Sequence, residues 1–281
     1  MLVKKGYKNF NFNCEEFAWA WFTVNTRAVY IKNSLLKNYT TEPHQANLPD
    51  EYENLALAPF LDMFNHSSNA SVEAGLNLNP RISDSFYEIR TNNRYLKYDQ
   101  VFINYGPHGN LRLYVEYGFA EENNQNDFVP ITINEIMEAI RVHYNLSSES
   151  LVIEKSLKIL QKSKLHENLR IDHSGPSWNI AASLFVINNV CRNQIKHNTE
   201  WQNVFTIEDF SDYTEIKSQQ TFLVRSKIKE LTKCVEKINQ KLNVQNGCKL
   251  ASKSFKMALN LLNFHLSILE SAVKGLAQDK S

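Results

Sequence analysis

Apolar positions along the chain change period twice, and the changes divide it. Behind Asn13, which stands at capping-box spacing from Glu16, the residues Phe17, Ala20, Trp21 and Val24 recur at helical intervals and predict a helix over about 14–26. The segment from Asn33 to Glu53 is polar and holds Pro43 and Pro49, so an exposed loop is expected before apolar positions resume at Leu55. Between Ser85 and Tyr105 the text becomes β-rich. FYEIRT, a turn at Asn92 and Asn93, and YLKYDQVFINYG predict a hairpin or two neighbouring strands. LRLYVEYGF, from Leu111 to Phe119, returns briefly to helical spacing, and the polar EENNQNDF that follows sets a boundary near residue 130.

Beyond that break the pattern is helical. Thr132 and Glu135 form a second capping-box pair ahead of IMEAI, followed by LVIEKSLKILQK and SWNIAASLFVINNVCR. Ile228, Leu231, Val235, Ile238 and Leu242 keep a three-four spacing. So do Phe255, Ala258, Leu262, His265, Leu269, Ala272 and Leu276 beyond Asn246 and Gly247, and together they predict an antiparallel helical hairpin. The expected fold is α+β, with a mixed domain over 1–130 and an all-α domain over 131–281.

Composition narrows the function classes. The 31 basic and 30 acidic residues give a formal charge of +1, so direct nucleic-acid binding is not predicted from global charge. Arg225, Lys229, Lys233, Lys237 and Lys241 form one local basic stripe, read either as contact with an acidic partner or as a solvated helix face. The first fifteen residues lack an apolar h-region, and no run approaches eighteen apolar residues. Neither a signal peptide nor a membrane span is predicted, and a cytoplasmic or nuclear location is expected.

Cys14, Cys191, Cys234 and Cys248 are scattered and form no CxxC, which argues against a zinc module and against disulfides. The absence of GxGxxG, GxxxxGK[ST] and GxSxG removes the usual grounds for dinucleotide, P-loop or α/β-hydrolase chemistry.

The chemistry concentrates in LAPFLDMFNHSSNA, where Asp62, Asn65 and His66 follow an apolar run. As metal ligands they are poorly spaced and lack a Cys/His or HExxH partner set, so no metal is expected. Two readings stay open on composition: a capped turn, with Asp62 and Asn65 bonding nearby backbone, or a loop that binds a ligand rich in donors and acceptors.

The pairing of DMFNHS with QVFINYG and EYGF, preceded by WAWFTVNTRAVY, resembles the SET-domain methyltransferases of the subclass that includes Rubisco large-subunit methyltransferase. The resemblance covers the C-terminal part of the SET domain and, more loosely, the helical substrate-binding domain that follows it. It implies a pseudo-knot, in which the Asn-His segment is threaded past the Tyr segment around S-adenosylmethionine. It further implies backbone contacts from Asn65 and His66 to the adenine, a cofactor-side network containing Arg27 and Asp62, and an adenine pocket lined by Tyr117 and Phe119. Tyr105 is the implied catalytic residue, and a lysine side chain of a histone or another protein is the implied substrate.

Methyl transfer from a cationic sulfur requires orientation and exclusion of water, and a phenol with a pKa of about 10 suits that role better than general-base work. Tyr87, Phe102 and Tyr114 are read either as part of an alkylammonium channel or as core. The strands and Gly-x-Gly loop that open the family's SET domain do not match here. The resemblance therefore implies that this sequence starts within the family's helical insertion, and a non-catalytic protein-binding adaptor is the alternative function. Tyr98 occupies the family's turn-glycine position, so a different turn geometry is expected there.

Overall fold

Asn13 starts the first helix as its spacing predicts. Its side chain accepts from the backbone N–H groups of Glu15 and Glu16 at 2.9 and 3.4 Å, capping α1, Cys14–Arg27. The protein is seen here as a computed structural model describing residues 13–32, 53–77, 86–145, 151–192, 200–244 and 249–278. Most of the expected Asn33–Glu53 loop, and the break at Asn246 and Gly247, lie outside the described residues. The described chain forms two compact units, the first reaching His108 and also containing Arg112–Glu121, the second holding Gly109–Leu111 and the residues from Glu122 onward.

In the first unit α1 leads into β1, Ala28–Lys32, which pairs antiparallel with β2, Glu53–Leu57, placing Ala28 opposite Leu57. The two-residue strand β3, Asn65–His66, follows a 3-10 turn at Leu61–Met63. Next come β4, Val72–Asn77, β5, Phe86–Thr91, and the two-residue β6, Phe102–Ile103. Among the described residues of this unit only His66 and Leu113 are buried, and α1 buries none while leaving Phe17, Trp19 and Trp21 more than half exposed.

The predicted strand partners are corrected here. FYEIRT does not pair with the segment after it but with VEAGLN before it, Val72 opposite Thr91 and Asn77 opposite Phe86. Ala74 and Gly75 give that strand little β signal in sequence. YLKYD is a turn instead of a strand: the Asp99 carboxylate accepts from the Leu96 N–H at 2.7 Å, and the Asp99 N–H returns to the Leu96 carbonyl at 3.1 Å.

Within that turn Tyr98 takes φ +75°, the conformation a glycine adopts freely, while 90% of the residue is exposed. An L side chain pays roughly 1–2 kcal/mol there, set against the entropy glycine loses on folding and a weak Lys97–Tyr98 cation–π contact. Tyr98→Gly is therefore expected to stabilise the protein by about 0.5–1 kcal/mol. An unchanged or lowered urea midpoint would show that this backbone carries no strain.

The core belongs to the second unit. Its helices are α2, Ile133–Tyr144, α3, Leu151–Ser163, α4, Trp178–Cys191, α5, Thr214–Val244, and α6, Lys249–Ala277. Thr132 and Glu135 close a reciprocal capping box on α2. Ile136, Ile140, Leu160, Leu184, Ile187, Ile216 and Leu269 are fully buried together. Nine of the 14 residues of α4 are buried, which explains why it reads as apolar all round.

The expectation of an all-α second part is corrected by a small antiparallel sheet, β7, Phe128–Pro130, β8, Arg170–Asp172, and β9, Gly175–Pro176, in that order. Strands of two or three residues are too short to show a period of two.

The five residues of the basic stripe are all exposed on α5. Lys227 on the same helix instead bonds Glu135 at 2.7 Å and Glu230 at 3.1 Å. Among the described residues no helix is long and apolar enough to cross a membrane.

Candidate functional site

The Asn-His and Tyr-bearing segments meet by direct strand pairing. β3 and β6 run parallel, with Asn65 opposite Phe102 and His66 opposite Ile103, and the Ser67 N–H donates to the Ile103 carbonyl at 3.0 Å. Because β6 ends at Ile103, the next residues turn across the end of β3. The Tyr105 N–H donates to His66 Nδ1 at 3.1 Å, and the Tyr105 hydroxyl donates to the Phe64 carbonyl at 2.7 Å. Asn104 steadies the bend, donating through Nδ2 to the Ser68 carbonyl at 3.3 Å and accepting from the Gly106 N–H at 2.8 Å. Gly106 itself has φ +128°, and a Cβ there would stand 3.0 Å from the His108 ring, so this position requires glycine.

His66 is the hinge of the arrangement. Its ring is 1% exposed, and its Nε2 faces a Glu121 carboxylate oxygen at 3.5 Å, close enough for attraction but without a hydrogen bond. Burial lowers its pKa, partly opposed by Glu121, so the ring is neutral at pH 7 and its Nδ1 is the acceptor that the Tyr105 N–H needs. Glu121 also accepts from the Ser68 N–H at 3.0 and 3.1 Å, tying the end of the first unit to the turn after β3.

A helical turn at Asn110–Arg112 runs into a π-helical stretch, Leu113–Tyr117, which ends at Gly118 in the left-handed region with φ +80°. The widened turn and its glycine stop bring Tyr117 and Phe119 beside the same centre. Ring centroids lie 5.0 Å apart for Tyr105 and Tyr117, 5.1 Å for His66 and Tyr105, and 5.9 Å for His66 and Phe119. Burial, with the Asp62 carboxylate and Tyr117 beside it, raises the Tyr105 pKa, and burial likewise raises that of Tyr117. Both phenols are uncharged at neutral pH.

Next to them is a cavity of about 390 Å³ whose walls include Tyr30, Tyr87, Tyr105, His108, Arg112 and Tyr117. Arg27 and Asp62 form an ion pair with each other. Asn65 contributes its backbone to β3, and its exposed side chain makes no hydrogen bond among the described residues. Of the three aromatics read as channel or core, Tyr87 lines this cavity, whereas Phe102 and Tyr114 do not. His108, Arg112 and Glu121 were not singled out in sequence. The only signal for the first two was their place between NYG and EYGF.

The amino-acid sequence, compared with known proteins, relates the chain to the SET-domain family. More particularly, it is a homologue of SET domain-containing protein 4. It is 35% identical to the Mus musculus protein and 36% identical to the Homo sapiens protein, each over 204 residues, 73% of this chain and 41% of the relative. It is also 38% identical over 110 residues to the ribosomal lysine N-methyltransferase set11 of Schizosaccharomyces pombe, covering 39% of this chain and 24% of that one. The chain thus spans 41% of the length of the first two curated relatives. No family model matches it. Among the described residues no group of three His, Cys, Asp or Glu side chains is placed to hold a metal ion.

Proposed function

We propose that the protein is an S-adenosylmethionine-dependent protein-lysine N-methyltransferase whose reacting centre is the cavity beside Tyr105. The observation that carries this reading is the Tyr105 phenol, fixed at both ends of the residue by bonds to His66 and Phe64 and set in the wall of an aromatic cavity. The cavity volume falls in the range of small-molecule sites, and its tyrosine faces suit a cationic ligand. The fit rests on those tyrosine faces: of the residues assigned to the cofactor Tyr117 lines this cavity, whereas Arg27, Asp62, Asn65, His66 and Phe119 do not. Tyr117 and Phe119 would flank the adenine, backbone of Asn65 and His66 would meet its polar edge, and the Arg27–Asp62 pair would close the cofactor side.

S-adenosylmethionine supplies, when bound, a methyl group on a positively charged sulfur. The chain's own part is orientation. Tyr105, held by two hydrogen bonds, can align reacting groups without rearranging, and its elevated pKa keeps it from acting as a phenolate base at neutral pH. Burial of His66 and the packed rings around it limit access of water from that side. The pseudo-knot belongs to this reading: the parallel β3–β6 pairing brings together the two segments it would thread. The second unit, over its helices, is the proposed holder of the substrate protein, on a histone or another target, in the nucleus or cytoplasm.

Calorimetric titration of the 281-residue chain with S-adenosylmethionine tests the proposal. Saturable one-to-one binding is expected, weakened about tenfold in Tyr117→Ala through loss of a stacking face. A folded chain that takes up no heat would sink the enzymatic reading for this chain and leave the protein-binding adaptor in its place.

A further inference from the structure

A cavity in the second unit has none of the residues assigned to methyl transfer in its lining. It holds about 750 Å³, with Trp178 and Phe210 in its wall, Glu208, Asp209 and Asp212 at its rim, and Gln220 in its lining. Trp178 is held in place from behind, its indole N–H donating to the Ile207 carbonyl at 3.0 Å and its ring stacked on Phe205 at 5.9 Å. The last turn of α6 also lines the cavity, bringing the partial negative charge of a 29-residue helix to the same place. At Gly275 in that turn a Cβ would meet nothing within 4 Å, so the wall is open there.

Gln220 points to a ligand independently of the carboxylates. It is 8% exposed, yet its side-chain amide makes no hydrogen bond among the described residues. Its neighbour Gln219 shows what an ordinary buried amide does on this helix, exchanging two bonds of 3.0 Å with Asn188. The Gln220 amide lines the cavity and is open to it, so a guest there can take up its unmade bonds. The rim carries three carboxylates against one lining cation, Lys217, and Glu208 and Asp212 make no ion pair among the described residues. A ring face, an amide oxygen, the Glu208 and Asp212 carboxylates and a helix C-terminus all favour the same guest.

We infer that this cavity binds a cationic side chain, arginine or lysine, from a basic segment of a partner protein. The charged head would lie against Trp178 and donate to Gln220 Oε1 and the rim carboxylates. The site needs neither cofactor nor methyl transfer, so it stands or falls separately from the reading above.

The test uses fluorescently labelled hexaarginine and hexalysine peptides, titrated into the full chain by anisotropy at 150 mM salt without cofactor. Glu208→Gln with Asp212→Asn, both at exposed positions, is expected to weaken binding of the preferred peptide about tenfold. Gln220→Leu, similar in size, is expected to weaken it about fivefold while far-UV circular dichroism stays unchanged. Glu236→Gln with Glu270→Gln removes the same charge from exposed positions outside the cavity and is expected to leave affinity within about twofold. If the two double variants lose affinity equally, the peptide responds to net charge only and the proposal is overturned. Failure of both peptides to bind the wild-type chain, or full affinity in a folded Gln220→Leu, overturns it as well. The peptide with the higher affinity identifies guanidinium or ammonium as the head group.

Discussion

On the proposed methyltransferase reading, Tyr105→Phe is expected to slow methyl transfer about 100-fold while leaving cofactor affinity close to that of the wild type. The substitution keeps the ring, and with it the contacts to His66 and Tyr117, and keeps the backbone bond to His66 Nδ1. What disappears is the hydroxyl and its bond to the Phe64 carbonyl, worth about 1 kcal/mol to stability. A structural role alone would therefore lower the melting temperature by a few degrees and leave turnover nearly intact. Single-turnover transfer of a radiolabelled methyl group to any protein the wild type methylates separates the two. Wild-type rates in the variant would remove Tyr105 from the reaction.

Asp127→Ala should be the most damaging of these substitutions to stability, at about 3 kcal/mol in the second unit. Asp127 is 2% exposed, and its carboxylate accepts from the Asn110 N–H and Nδ2, each at 2.8 Å, and from the Phe128 N–H at 3.0 Å. Asn124 in turn donates to the Asn110 Oδ1 at 3.3 Å, and His265 Nε2 stands 3.8 Å from Asp127, beyond hydrogen-bond range. Truncation would take both carboxylate acceptors away from the buried Asn110 donors.

Burial alone would raise the Asp127 pKa, but the nearby His265 and the Asn110 donors outweigh it and hold the carboxyl below its ordinary value. A depressed carboxylate contributes stability above its unfolded pKa of about 3.9 and loses it as the pH falls through the folded value. The gap between wild type and Asp127→Ala in urea unfolding should accordingly narrow below about pH 4. A gap that is small at pH 7, or that widens in acid, would show that the carboxylate is not what holds this network.

Helices were readable because their signals repeat. Asn13 and Thr132 announced two starts, and the apolar spacing of α5 and α6 runs through many turns, so local pattern and tertiary burial agree. The β elements were not. β3 and β6 are two residues long, parallel and distant in sequence, and no local period encodes which strand finds which. Their meeting was accessible only through the likeness of DMFNHS and FINYG to a family. Even that likeness did not reveal Glu121, whose carboxylate gathers the Ser68 N–H and faces His66.

At Tyr98 the departure from glycine was visible, but its outcome was not. The backbone keeps the left-handed shape, and tyrosine bears the cost.

The β4–β5 pair lies wholly within the stretch that separates β3 from β6. Bringing β3 to β6 directly means closing a loop of about 35 residues for a ladder only two residues long. Once β4 and β5 have zipped together, about 15 residues of connecting chain remain, and the entropy of closure falls by about 0.7 kcal/mol. The antiparallel pair, formed from near neighbours in sequence, is thereby set to form first, and the centre around Tyr105 to be assembled last, on a loop already drawn shut.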